Sequence, residues 1–239
     1  MRKSGQITAL ALKNALVAAT PGASLEQINL VVQETIDQSG AQASFTTVPG
    51  YNWASCITVN DEVVHGIPRP IKLKDGDLVS IDLGAVVGGW HTDAAWSKIV
   101  GKAKSGDEKF LEVGQKALWA GIDQAVEGKR VGDISYAIGE IVEKAGYKIV
   151  RSLVGHGVGK ALHEDPEIPG VGKAGTGMKL WAGMTLAIEV IYTAGSGLVY
   201  QETDGWTITS SDYSLGGLFE MTIIVGKDKA EVLTDWRQV

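Results

Sequence analysis

One cysteine, Cys56, is the whole thiol complement of this 239-residue chain. It has no partner for an internal disulfide, which excludes a disulfide scaffold and favours a reducing compartment. Lysine and arginine form no cluster and are outnumbered, 22 to 28, by acidic residues, for a formal charge of -6. An acidic chain without a basic patch argues against nucleic-acid and anionic-membrane binding. Long apolar runs are missing as well. The longest candidate, residues 180–199, is interrupted by Glu189 and by glycines, and its Thr, Ile, Val and Tyr content suits strands. Residues 1–20 are basic at the start but broken by Gln6, Lys13 and Asn14 at amphipathic-helix spacing, unlike the apolar core of a leader. These absences lead us to expect a cytoplasmic globular protein acting on small molecules or peptides.

What is present runs as helices followed by strands, twice. The first helix ends before Pro21-Gly22. A second starts at Ser24, where Gln27 completes a capping-box pattern, and stops at Gly40. The run "SCITVN" reads as a strand before a turn at Asn60-Asp61, and "DLVSIDLGAVV" and "WHTDAAWSKIV" flank Gly88-Gly89 as a hairpin. Helical patterns return over about 106–127 and 134–145, and strands resume after Gly146, ending with "LFEMTIIV" and "AEVLT". Ile28, Glu34 and Gly40 align with Ile134, Glu140 and Gly146 at one constant offset, a faint internal duplication. Two similar α+β halves sharing a sheet would place a site between them.

Four carboxylates stand in strand-like apolar runs: Asp82 in "VSIDLGAVV", Asp93 in "WHTDAAW", Glu189 in "TLAIEVIY" and Glu220 in "LFEMTIIV". If the hairpin turns between Val87 and Gly88, Asp82 and Asp93 stand directly opposite on one face, about 5 Å apart at Cβ, where like charges repel. An unpaired ionised carboxylate in such a run costs several kcal/mol, and the nearby strands offer few basic partners. A shared divalent cation resolves the repulsion most simply. The segment "GHGVGKALHEDP" adds His156, flanked by Gly155 and Gly157; as a phosphate loop it fails, because Lys160 is followed by Ala161 instead of Ser or Thr. Four carboxylates and one imidazole form an oxygen-rich set suited to Mn, Fe(II), Co or Zn, and five such ligands can hold two ions about 3.5–4 Å apart. A binuclear hydrolase is the chemical reading; a phosphoesterase fits the ligand types alone, but no basic phosphate clamp lies near them. His65 in "HGIP" and His163 sit in Gly/Pro-rich loops near candidate ligands, suiting substrate-contact roles, and His91 reads as structural.

The chain resembles the methionine aminopeptidases of the creatinase or pita-bread family. The motifs that carry the resemblance are "NDEVVHGIP", "LKDGDLVSIDLGA", "HTDAAWSKIVG", "GHGVGKALHEDP", "GMTLAIEVI" and "TDGWTITSSDYSLGGLFEMTIIV", in family order and spacing over nearly the whole length. The resemblance implies a pita-bread fold, with two pseudo-symmetric halves sharing a central antiparallel sheet covered by helices. It implies one catalytic domain over 1–239, with halves of roughly 1–104 and 105–239. Asp82, Asp93, His156, Glu189 and Glu220 would hold two divalent metal ions. Glu189 would also shuttle the proton, His163 would stabilise the oxyanion, and His65 would contact substrate near the scissile nitrogen. Tyr51, Cys56 and Trp206 match the pocket for the methionine side chain, with Phe45, Val48 and Leu162 at positions where other residues are common in the family. Val190 stands where the family has proline, and Met221 where bacterial members have histidine.

The implied activity is removal of the initiator methionine from nascent proteins and peptides whose second residue is small. The implied partners are polypeptide N-termini, with the ribosome meeting only the folded surface, and the expected state is a monomer. A prolidase-like peptidase and a metal-free binding protein on the same fold are the alternatives.

Overall fold

Ser24 accepts a hydrogen bond from the Gln27 amide while the Gln27 side chain accepts from the Ser24 amide, so the predicted capping box opens the second helix. In the computed structural model, which describes residues 1–239, four helices form: α1 (Arg2–Ala18), α2 (Leu25–Gln38), α3 (Asp107–Asp123) and α4 (Val131–Lys144). Helix α4 begins three residues earlier than the sequence pattern predicts. Its first turn is closed by the Asp133 carboxylate, which accepts from the Arg130 amide at 2.8 Å, and arginine is not a residue that marks an N-cap. None of these helices is long and apolar enough to cross a membrane.

The strands are β1 (Gln42–Ala43), β2 (Ser55–Val59), β3 (Glu62–Val64), β4 (Leu78–Val87), β5 (Trp90–Ile99), β6 (Lys148–Ile149), β7 (Val154–Gly157), β8 (Glu164–Pro169), β9 (Thr185–Thr193), β10 (Val199–Gln201), β11 (Ile208–Ser210), β12 (Gly216–Ile224) and β13 (Glu231–Val232). Ten of them make one sheet in the order β1-β4-β5-β12-β9-β7-β8, with β2 on β4, β6 on β9 and β13 on β12. Strands β10, β11 and β3 form a separate small sheet. Every pairing is antiparallel.

Alternation along the four central strands sorts side chains to two faces. Ile81, Leu83, Ala94, Trp96, Ile188, Val190, Phe219 and Met221 belong to the main hydrophobic core, against which α1 packs over β4 and β5 and α3 over β9 and β12. Full burial of each large side chain here contributes about 1.5–3 kcal/mol. The opposite parity carries the four acidic residues.

The hairpin corrects one expectation. Gly88 and Gly89 both have positive φ, 59° and 75°, and together form the two-residue turn, so Val87 pairs with Trp90. The centre of the hairpin is thereby moved by one residue. Asp82 faces Ala95, and Asp93 faces Gly84. Asp82 and Asp93 are diagonal neighbours on one face of the sheet, not a directly opposed pair.

Candidate metal centre

Strand registers place the acidic residues in two adjacent rows. The first row runs Asp82 on β4, Ala95 on β5, Glu220 on β12 and Glu189 on β9. The second begins with Gly84 and Asp93, and on its far side Thr222 faces Ala187, which in turn faces His156 on β7. Gly84, Ala95 and Ala187 are small, so nothing between the polar side chains fills the space into which they project. One ligand atom each from Asp93, His156 and Glu220 lies within 4.8 Å of the others, and His156 Nε2 is 4.0 Å from Glu220 Oε1. Asp82 and Glu189 flank that group and line the same cavity of about 310 Å³.

The electrostatics are those of a site built for a cation. Asp82 Oδ1, Asp93 Oδ1 and Glu220 Oε1 are buried and have no hydrogen-bond partner, which is costly unless a charge of opposite sign completes the group. No lysine or arginine pairs with any of the four carboxylates; the ion pairs of those residues lie elsewhere. Burial, then the neighbouring Asp93 and Glu189 charges, holds the Asp82 carboxyl well above its ordinary range. Burial raises Asp93 to about 7, and burial with the Asp93 charge raises Glu189 to about 8. Glu220 is pushed well up by burial and by the charges of Asp93, Glu189 and Asp82.

His156 is tuned the other way. Burial, then the neighbouring His163, lowers it to about 4. Its Nδ1 lies 2.9 Å from the Gly157 carbonyl oxygen; since a carbonyl only accepts, Nδ1 carries the proton and Nε2 keeps its lone pair toward Glu220. The glycines beside His156 have a backbone reason. A Cβ on Gly155 would stand 2.7 Å from the Ala187 carbonyl oxygen, and one on Gly157 would collide with the Asp165 carbonyl. Strand β7 is thus pressed between β9 and β8 so tightly that only glycine fits on either side of the imidazole.

His65 and His163 line the cavity beside the carboxylates. Both residues are exposed, yet the surrounding protein holds each imidazole below its ordinary value, His65 also through the nearby His163. His65 adopts a left-handed backbone (φ 58°), a conformation costing a non-glycine residue about 1–3 kcal/mol and concentrated at functional sites. The His163 ring lies 4.4 Å from that of His156, centroid to centroid. Its loop is fastened by the Ala161 amide donating to Glu164 at 2.7 Å and by the His91 amide donating to the Gly159 carbonyl at 2.8 Å. The His91 ring bonds Ser44 instead, outside the cavity, at 3.1 Å.

The remaining wall is apolar. Phe45, Tyr51, Cys56 and Leu162 form a cluster of their own, with Val48 and Trp206 packed against it. Tyr51 meets Trp206 edge to face at 5.0 Å, and its hydroxyl donates to the Ser55 carbonyl. Asp204 fixes the Trp206 loop by accepting from the Trp206 and Thr207 amides, 2.8 Å each. Cys56 faces Asp82 across β2 and β4, so the apolar wall joins the acidic rows directly. Every residue that the sequence offered as a metal-ligand, catalytic or substrate-pocket candidate therefore lines this one cavity; His91, read as structural, does not. Val64, Ser152, Leu153, Val154 and Ile191 also line it and were not foreseen. Ile191 and Val154 share strand parity with Glu189 and His156, a usable signal; Ser152 and Leu153 lie in a turn and carry none.

Comparison with known proteins matches residues 1–227 to the model of metallopeptidase family M24. The chain is 41% identical over 234 residues to methionine aminopeptidase 1 of Bacillus subtilis, covering 98% of this chain and 94% of that protein. The solved methionine aminopeptidase of Thermotoga maritima superposes with a TM-score of 0.96 at 40% identity, covering 98% of this chain and 94% of the other. The prolidase of Pyrococcus furiosus shares the fold at a TM-score of 0.79 and 22% identity, with 98% of this chain and 62% of that one covered.

Proposed function

The chain belongs to metallopeptidase family M24, and from that membership we propose how its cavity removes methionine from the N-terminus of a polypeptide. The enzyme is a metal-dependent aminopeptidase. The observation that carries the site assignment is the trio of orphaned carboxylate oxygens on Asp82, Asp93 and Glu220, converging with His156 and Glu189 where no basic side chain neutralises them. Oxygen-rich donors with one neutral imidazole suit Mn, Fe(II), Co or Zn, so the residues fit the metal that the family requires. Asp82, Asp93, His156, Glu189 and Glu220 would hold two divalent ions, which would supply Lewis acidity for the hydrolysis.

The residues divide the remaining work. Glu189, at the end of the first ligand row, takes the proton from the attacking water and passes it to the leaving nitrogen. The neutral His163 donates a hydrogen bond to the oxyanion that develops on the carbonyl. His65, held in its left-handed conformation across the cavity, contacts substrate near the scissile nitrogen. The methionine side chain enters the wall of Tyr51, Cys56, Trp206, Phe45 and Leu162, and a small second residue passes the crowded ligand rows. The free α-amino group lies beside the carboxylates, which restricts cleavage to chain ends. Residues 1–239 act as one catalytic unit, a monomer in the cytoplasm, on the N-termini of nascent chains.

Stripping the protein with chelator and adding back Mn, Co, Fe(II) or Zn tests the reading. Methionine is released from Met-Ala-Ser only after metal is restored, while Met-Lys-Ser and Ala-Pro-Ser stay intact. Cleavage of the proline peptide, or release that survives chelation, contradicts it.

A further inference from the structure

Strands β5 and β12 meet at the middle of the large sheet, and only two residue pairs face each other across them: Glu220 with Ala95 and Met221 with Ala94. On either side of these pairs a side-chain hydroxyl replaces the peptide ladder. On one side Ser97 Oγ, from β5, donates to the Leu218 carbonyl at 2.8 Å and accepts from the Leu218 amide at 2.9 Å. On the other side Thr222 Oγ1, from β12, donates to the Asp93 carbonyl at 2.8 Å and accepts from the Asp93 amide at 2.8 Å. The two bridges are chemical equivalents, and both hydroxyl residues are buried. They differ in what hangs from the bridged residue: an apolar side chain at Leu218, a carboxylate with an orphaned oxygen at Asp93.

We propose that Thr222 is a positioning residue for the metal centre, its hydroxyl fixing both peptide groups of Asp93 so that the Asp93 carboxylate meets His156 and Glu220. The inference rests on the reading of Asp93 as a ligand. A hydroxyl inserted between two strands holds them farther apart than the ~4.8 Å of a direct ladder. That wider gap lies where side chains from both strands, Asp93 and Glu220, converge. Thr222 is itself anchored, since its amide donates to Thr234 Oγ1 at 3.0 Å and its carbonyl accepts from the Leu233 amide at 2.9 Å. Its β-branch further restricts χ1. Without the hydroxyl, the Asp93 amide and carbonyl lose these partners in a buried strand, and the ligand can shift away from the other two.

The pseudo-symmetry supplies the control. Thr222→Val and Ser97→Ala each delete a pair of hydrogen bonds from the same strand junction, but only the first touches a ligand. Mn(II) affinity is measured by titration calorimetry on both variants, with Thr222→Ser to restore the hydroxyl and Asp93→Asn to test the ligand itself. We expect T222V to bind Mn(II) roughly 10- to 100-fold more weakly, the range found when partners of metal ligands are removed, with S97A near wild type and T222S largely recovered. Equal losses in T222V and S97A, or none in T222V, overturn the proposal. Wild-type affinity in D93N overturns the ligand reading instead, so the two failures are told apart. Hydrogen exchange on the unaltered protein keeps the test independent of folding defects. Zn(II) should slow exchange of the Asp93 amide more than that of the Leu218 amide, and equal slowing again counts against Thr222.

Discussion

The two halves of the molecule share a frame and divide the chemistry unequally. Helix α4 is α2 shifted by 106 residues at both ends (25 to 131, 38 to 144), and β6 pairs with the end of β9 as β1 pairs with the end of β4. Asp82 on β4 and Glu189 on β9 are counterparts, for each faces one of the two directly paired residues, Ala95 and Glu220, of β5 and β12. Beyond that the symmetry fails. Glu220 has alanine as its counterpart, and the Asp93 bridge is matched by the Leu218 bridge. A repeated scaffold thus creates a two-sided face at the junction, while individual residues decide which positions bear carboxylates. Placement of polar atoms is inherited from the fold, and their identity is local.

The largest expected effect separates the two counterparts by role. Glu189→Gln should lower kcat/KM by about 10²–10⁴-fold, the contribution typical of a positioned acid-base group, and excess metal should not restore it. Asp82→Asn, which removes a ligand without a proton role, should respond to added metal. Assaying both over a range of Mn(II) concentrations checks this; equal rescue of the two would make Glu189 a ligand only.

A smaller effect follows from the carboxylates before metal binds. In the folded, metal-free chain Asp93 and Glu189 lose their protons near 7 and 8, against ordinary values of 3.8 and 4.5. Between those limits the folded state holds more protons than the unfolded state, so the stability that these two groups contribute is fully present below about pH 4 and is lost as pH rises toward 8. Chelated protein should therefore melt lower at about pH 8 than at about pH 5, and Mn(II) should remove most of the decline by pairing with the ionised ligands. The melting curves, with and without metal, give the comparison. A metal-free chain that gains stability across this range would show that other groups outweigh the buried cluster.

Much of this was legible in the sequence, for identifiable reasons. Ser24 and Gln27 announce α2 because capping uses local partners, and Gly88-Gly89 announces the hairpin because only glycine accepts two consecutive positive φ angles so readily. The four strand-borne acids stand out because apolar surroundings make them costly. Register was less accessible: the same glycines fit a turn displaced by one residue, and only the three-dimensional pairing shows that Asp82 lies diagonal to Asp93. The start of α4 escaped notice because Asp133 closes a turn whose cap is Arg130. The Thr222 and Ser97 bridges had no signal, since a buried hydroxyl in a strand reads the same whether it spans two strands or packs alone. The small sheet of β10, β11 and β3 is built from strands of three residues, too short for alternation to register.

In the proposed centre, five side chains from β4, β5, β7, β9 and β12 hold a pair of divalent ions. Anomalous diffraction from crystals soaked in Mn(II) tests it most directly. Two peaks are expected within the cavity, bounded by Asp82, Asp93, His156, Glu189 and Glu220. Manganese elsewhere in the molecule, with this cluster holding none, would contradict it.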